Sequence, residues 1–384
     1  MTTCSVVDVV RRHGPEYLGR FGSAVLPSHA RALRDIARCR TPALGGHLAE
    51  CQSCGSRHIE FHSCNNRACP QCGGARTDAW LEQQRELLLP VPYFHVVLTL
   101  PEELRFIVRC HQRRLLSVLF QAAFQALATL CRDPAHLGGR IGALAVLHTW
   151  TRTLEWHPHV HMLVPAGALT DDGTWVSSPK RRKRILVPTQ PLARLFWGRF
   201  MHLARRALPG VSFPDIRPDK RWIVDLREAV QGSDRVLEYL GRYVHRTAIS
   251  NRAIVSCNDD AVSFRYRSHR DDKTRVMTLA PREFLRRFLQ HVMPRGFHRV
   301  RAFGLLHPKH RTTLRRLQLL LGGARRLRPS PQPSKRAVRR CPVCRATALR
   351  SGPPISALEL SDSLPRQGTG DHAPRAPPEF EVSP

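Results

Sequence analysis

The sequence predicts an α+β fold: a central domain of antiparallel strands and helices at residues 85–310, preceded by a small helical, cysteine-dense domain at residues 1–80 and followed by a basic, Pro-rich tail at residues 311–384. Three observations predict it. Residues 93–100, 141–150 and 157–164 are β-branched, aromatic or alternating runs of strand length bounded by breakers. Residues 113–131 repeat apolar side chains at helical spacing. Six of the twelve cysteines crowd between Cys39 and Cys72.

At the N-terminus, residues 6–13 and 30–37 read as helices, and the cysteine-dense, Gly-bearing stretch follows. The strand at 93–100 ends at Pro101, which supplies no backbone donor to a ladder. Residues 151–156 turn the chain so that 157–164 pairs back antiparallel on 141–150. Ser233 or Asp234 caps a helix from Arg235 to about Thr247, with Val236, Leu237, Leu240 and Val244 as its apolar stripe. Beyond about residue 325 the chain turns Pro-, Arg- and Ser-rich with little to bury, the composition of a disordered tail.

Charge narrows the partners. The chain of 384 residues carries 61 Lys plus Arg against 30 Asp plus Glu, a net +31. Such an excess costs stability through self-repulsion unless a polyanion offsets it, so nucleic acid is the expected partner. No apolar run approaches the roughly 18 residues of a spanning helix. The first residues lack a basic stretch followed by an apolar one, which argues against secretion and for the cytoplasm. In that compartment clustered cysteines point to metal rather than disulfides.

Cys51-x2-Cys54 and Cys69-x2-Cys72 have the knuckle spacing of a structural Cys4 zinc site. Cys39, His47 and Cys64 lie near enough to complete a second site or substitute in the first. Cys341-x2-Cys344 reads as half a site, an unused remnant. In an extended strand His157, His159 and His161 share one face while Trp156, Val160 and Met162 share the other, the start of a divalent-metal site backed by core. Met162, Leu163 and Val164 exclude a His-x-His-x-Asp-His metallo-hydrolase. Tyr239 and Tyr243 are i, i+4 neighbours that bring two phenols to one edge of a basic helix bearing Arg242 and Arg246. The run Lys180-Arg181-Arg182-Lys183-Arg184 is suited to tracking phosphates.

These motifs together resemble the rolling-circle insertion-sequence transposases of the HUH superfamily, two-tyrosine type. The resemblance spans residues 5–310 and rests on Cys51-x2-Cys54-Gly55, Ser63-Cys64-x-Asn66-Arg67, Cys69-Pro70-x-Cys72, Leu147-His148-Thr149-Trp150, His157-Pro158-His159-Val160-His161 and Tyr239-x3-Tyr243. It implies an N-terminal zinc-binding domain and a Rep-like nuclease domain with an antiparallel sheet. His159 and His161 become metal ligands, with His157, His148 or Glu155 as the third. Tyr239 and Tyr243 become nucleophiles. A catalytic Mg2+ or Mn2+ and single-stranded DNA, element ends and target, are the implied cofactor and substrate, and the bacterial nucleoid the implied location. Two competing readings share the composition: a non-catalytic zinc-containing DNA-binding protein (an inactivated copy included), and a plasmid replication-initiator nickase.

Overall fold

A computed structural model describes residues 4–72, 80, 81, 83, 84, 86–178, 186–216, 222–228, 241, 247–268, 271–322 and 339–363. The chain divides into two compact units that are each discontinuous in sequence. One comprises Met1–Asp78, Thr247–Val292 and Ser330–Pro384; the other comprises Ala79–Arg246 and Met293–Pro329.

The first unit begins with helix α1 (Val6–Phe21), started by a reciprocal capping box between Ser5 and Asp8. The helix outruns the expected end at residue 13 because Pro15 removes only one backbone donor, and the chain continues to Gly22 in a left-handed turn (φ +41°). Helix α2 (Pro27–Ala37) uses Pro27 in its first turn, where the missing N–H is harmless. Val6, Val9 and Val10 of α1 are buried, as are Ala32, Leu33 and Ile36 of α2, and the two helices pack together. Helix α6 (Pro281–Leu289) also packs on α1. A meander of β9 (Ile254–Cys257), β10 (Val262–Arg267) and β11 (Thr274–Leu279) joins it, with Phe264 edge-on to Phe284 at 5.9 Å. Cys4 and Cys257 form a disulfide, so not every cysteine is left for metal.

The cysteine-dense part of this unit is a three-stranded antiparallel sheet, order β13-β1-β2. Strands β1 (Gly46–Cys51) and β2 (Arg57–Phe61) form a hairpin, and β13 (Leu349–Ile355) pairs with β1 from the far end of the chain. The expectation of a largely disordered tail from residue 311 is therefore corrected. Helix α7 (Arg311–Leu320), β13 and helix α8 (Ala357–Ser363) all lie within it. Leu314 and Leu317 are buried, and β13 satisfies its backbone on β1, neither of which composition reveals.

The second unit is built on a five-stranded antiparallel sheet in the order β12-β4-β5-β3-β8: β12 (Val300–Gly304), β4 (Gly142–Trp150), β5 (Trp156–Pro165), β3 (Tyr93–Thr99) and β8 (Val224–Glu228), with a separate short hairpin of β6 (Gly167–Leu169) and β7 (Trp175–Ser177) between β5 and β8 in sequence. The three predicted strands stand within a residue or so of their expected bounds. Helices α4 (Gln112–Arg132) and α5 (Thr189–Ala207) are part of the core on one face. There Leu115, Leu119, Phe120 and Leu127 of α4 and Phe196 and Phe200 of α5 share a buried cluster with Val96, Leu98, Leu147, Val160 and Met162 of the sheet. Contrary to the sequence reading, α4 has the length and apolarity of a membrane span; 56% of its most apolar stretch is buried in this core.

The opposite face is divided along the strands. At one end Tyr93, Leu144, Val146 and Leu163 pack with Leu305, Leu306, Leu314 and Leu317. At the other end the same alternation presents imidazoles.

Candidate metal centre

Register puts the imidazoles together. Across the β3–β5 ladder Thr99 opposes His159 and Val97 opposes His161; across β4–β5, His148 opposes His159 and Val146 opposes His161. Cross-strand partners share a face, so His148, His159 and His161 converge on the side away from α4 and α5. One ligand nitrogen from each lies within 4.8 Å of the others, close enough for one ion to bridge. Ring centroids are 4.4 Å apart for His148–His161 and 4.9 Å for His159–His161. A bulge shifts the β4–β5 register between His148 and Trp150, as often happens beside functional sites. Trp150 stacks on His148 at 4.6 Å, and the Arg299 guanidinium lies over the Trp150 ring at 5.4 Å.

Burial and hydrogen bonds ready these rings for metal. The His159 Nδ1–H donates to the carbonyl of His157 at 2.7 Å, leaving Nε2 as its ligand atom. Burial pushes His159 down to about 4, and burial likewise pushes His95 down to about 4 despite the nearby Asp225 carboxylate. Both rings are neutral at physiological pH, the form that coordinates. His95 of β3 contacts His161 directly, Nε2 to Nδ1, at 2.9 Å. Three imidazoles without a thiolate suit divalent first-row transition ions better than Mg2+, a hard ion that favours oxygen ligands.

His157 is not part of the group. Its Nδ1 accepts a hydrogen bond from the Arg105 guanidinium at 2.9 Å, and Arg105 is held by the short helix α3 (Arg105–Cys110). His148 takes the place that the sequence reading gave first to His157. The His-x-His run supplies only alternate strand positions, whereas the third ring comes from the neighbouring strand and needs the pairing register. His95 and Arg105 are the contacts sequence reasoning missed; alternation of 95, 97 and 99 was the one signal for His95. Arg286 and Arg287 are ion-paired to Glu283, and Arg301 stacks on Phe120 and Phe297 at 4.5 and 5.1 Å, so these cations have structural partners. Tyr239, Tyr243, Lys180, Arg181, Arg182, Lys183, Arg184, Arg242 and Arg246 lie outside the described residues. Gly241, between the tyrosines, is helical and sits so close to Leu81 that a Cβ there would meet its Cδ1 at 3.0 Å.

The cysteines gather differently from the expected single set. Cys51, Cys54, Cys69 and Cys72 do not meet. Cys39, Cys64, Cys69 and Cys72 form one group, and Cys51 and Cys54 meet Cys341 and Cys344 in another. The hairpin register explains the split. Glu50 opposes Arg57 at the Cys51–Cys54 end, while Gly46 opposes Phe61 at the end from which the chain leaves for Cys64. At ~3.3 Å per residue the two ends are roughly 13–16 Å apart, far beyond zinc–sulfur bonds of ~2.3 Å. In the first group Cys39 lies 3.5 Å from Cys72 and 3.7 Å from Cys69, with Cys64 3.6 Å from Cys72, all between sulfurs. Hydrogen bonding among these sulfurs, chiefly from Cys64, holds Cys39 down to about 7, toward the thiolate that metal requires. Asn66 ties the knuckle to α2 through Asp35 at 2.9 Å. His47 joins neither group; it pairs with Glu60 at 2.9 Å.

A family model described as "Transposase zinc-binding domain" matches residues 9–100, which contain the whole group of Cys39, Cys64, Cys69 and Cys72 together with Cys51 and Cys54. A second, described as "Putative transposase", matches residues 142–313, which contain His148, His159 and His161. The chain is 38% identical over 371 residues to "Putative transposase y4qJ" of Sinorhizobium fredii, covering 88% of this chain and 92% of that protein. It is 30% identical over 292 residues to the transposase for insertion sequence element IS801 of Pseudomonas savastanoi pv. phaseolicola, covering 70% and 68% of the two. No solved structure matches the chain. Its matches run through both the cysteine-rich region and the histidine-bearing sheet, and the chain belongs to the rolling-circle insertion-sequence transposases.

Proposed function

We propose that this transposase nicks and rejoins single-stranded DNA through 5′-phosphotyrosine intermediates, in a nuclease unit of the HUH type. The observation that carries the reading is the convergence of three imidazoles, His148, His159 and His161, at the polar end of an antiparallel sheet. A divalent ion held by them, Mg2+ or Mn2+, would supply Lewis-acid polarisation of a scissile phosphate.

Tyr239 and Tyr243 are the nucleophiles of this reading, on the strength of their i, i+4 spacing and the family resemblance. The phenol oxygen of one attacks phosphorus as it loses its proton. The new bond joins tyrosine to the 5′-phosphate, the bond from phosphorus to the 3′-oxygen breaks, and that oxygen takes up a proton. The intermediate retains one phosphodiester for each one broken, so resealing by a 3′-hydroxyl needs no nucleotide. Two tyrosines let donor and target strands be held in turn. A free phenol has a pKa of ~10, so the attack requires activation at neutral pH. Arg105 and Arg299, near the imidazole face, and the runs at 180–184, Arg242 and Arg246 are suited to phosphate contacts. A single strand leaves the scissile phosphate free of a partner strand, and we place this chemistry with the bacterial nucleoid in the cytoplasm.

The test is a denaturing gel of purified protein with labelled single-stranded oligonucleotides from the element's ends, with Mg2+ or Mn2+. A protein-linked band that vanishes in the Tyr239→Phe, Tyr243→Phe double variant and on chelation supports the reading. Salt-sensitive binding with no adduct would replace it with non-catalytic DNA binding.

A further inference from the structure

The second cysteine group straddles the family matches: Cys51 and Cys54 lie within residues 9–100, whereas Cys341 and Cys344 lie beyond residue 313, where the second match ends. Its two halves are built alike. Gly55 N–H donates to the Cys51 carbonyl at 2.8 Å, and Arg345 N–H donates to the Cys341 carbonyl at 2.9 Å. Cys51 N–H donates to the Ser56 carbonyl at 2.9 Å, and Cys341 N–H donates to the Ala346 carbonyl at 2.8 Å. Each knuckle turns through a left-handed residue directly after its second cysteine, Gly55 at φ +68° and Arg345 at φ +62°. Arg345 adopts that conformation without a glycine's freedom, so its turn is held by its surroundings. Each knuckle contributes one buried sulfur residue, Cys51 or Cys341, and one exposed, Cys54 or Cys344.

Across the pair, Cys51 Sγ lies 3.6 Å from Cys344 Sγ and Cys54 Sγ lies 3.7 Å from Cys341 Sγ. A tetrahedral zinc with bonds of ~2.3 Å has sulfur–sulfur edges of ~3.8 Å. The strands running into the knuckles are already paired: Cys51 opposes Leu349, Glu50 opposes Arg350, and Gln52 N–H donates to the Ala348 carbonyl at 2.8 Å.

We propose that Cys51, Cys54, Cys341 and Cys344 bind a second structural zinc ion, forming a zinc ribbon split between the two ends of the chain. The metal clasps β13 onto β1 and makes the C-terminal segment an integral part of the first unit. Its four ligands are thiolates, with the thiol protons released to solvent on binding. A pair of knuckles joined by three short strands has little core of its own, and a metal supplies what burial does not.

The experiment uses the full-length protein purified without chelator, with zinc counted by elemental analysis and free thiols by titration. Two zinc ions per chain are expected, falling to one in the Cys341→Ser, Cys344→Ser double variant. One zinc per wild-type chain, or two retained by the double variant, overturns the proposal. Cobalt substitution keeps the question open to decision if that variant fails to fold. Wild-type protein should take up two equivalents with tetrathiolate absorption, and Cys344→His should shift the visible bands of one equivalent only. Unshifted bands in Cys344→His, with two cobalt ions still bound, would place the second ion elsewhere and overturn the assignment.

Discussion

His95 Nε2 and His161 Nδ1 lie 2.9 Å apart, with the two rings nearly parallel at 7° and 5.1 Å between centroids. The contact occupies the Nδ1 side of His161, so Nε2 is the atom left for a metal. Partners of this kind orient a ligand ring and set its tautomer. His95 is itself only 7% exposed and held neutral by burial, so it fixes that orientation without adding charge. It acts as a positioning residue. His95→Phe is expected to weaken Mn2+ binding by about 10–100-fold. His95→Gln, which keeps a polar group, should recover part of the loss. Titration calorimetry with Mn2+ measures both, and equal affinity in wild type and His95→Phe would refute the role.

The assignment of the third ligand separates two neighbouring rings. His148 lies in the group with His159 and His161, whereas His157 is engaged by Arg105. His148→Ala should therefore reduce Mn2+ affinity by about 100-fold or more, beyond the loss from an outer partner. His157→Ala should leave it within a few fold and alter DNA affinity instead, through the released Arg105. Paramagnetic resonance of bound Mn2+ reads the first effect directly. A larger loss from His157→Ala than from His148→Ala would reverse the assignment.

What the sequence disclosed follows the range of the interactions concerned. Alternation over 157–164 was enough to place the histidine strand and to separate Val160 and Met162 from His159 and His161, because side-chain direction in a strand is local. The choice of His148 over His157 depends on how β4 pairs with β5, and a bulge in that pairing has no sequence signature here. Cysteine spacing disclosed the knuckles but not their partners. A knuckle fixes two ligands locally; the other two are set by hairpin length and, for Cys51 and Cys54, by a strand that arrives 290 or so residues later. The same absence of local information made β13 look like part of a disordered tail, since Gly352, Pro353 and Pro354 argue against a strand unless a partner already waits.

Gly304 offers a test of how tightly the sheet edge is set. It ends β12 opposite Gly142 with φ +55°, and a Cβ there would come within 2.0 Å of the Ile141 carbonyl oxygen and 2.9 Å of Phe124. The clash is with backbone, which cannot swing aside as a long side chain can. Gly304→Ala is expected to destabilise the second unit by about 3 kcal/mol or more, combining left-handed strain with overpacking. Thermal denaturation with the metal content held fixed should show the loss. An unchanged transition would mean the edge strand yields at little cost.

Glu283 gives the first unit a defined acid response. Its carboxylate accepts from Arg286 at 2.6 and 2.8 Å and from Arg287 at 2.7 Å, and these contacts, led by Arg286, hold it down to about 2. The folded value lies below the unfolded one of ~4.3, so the stabilisation is complete above that pH and is lost as pH falls toward 2. The side chain is 33% exposed, so solvent screening limits the effect to about 1 kcal/mol rather than the full value implied by the shift. Glu283→Gln should therefore melt below wild type at pH 7, and the two curves should converge as pH falls from 5 to 2. A gap that persists at pH 2 would assign the cost to lost packing rather than to the ion pairs.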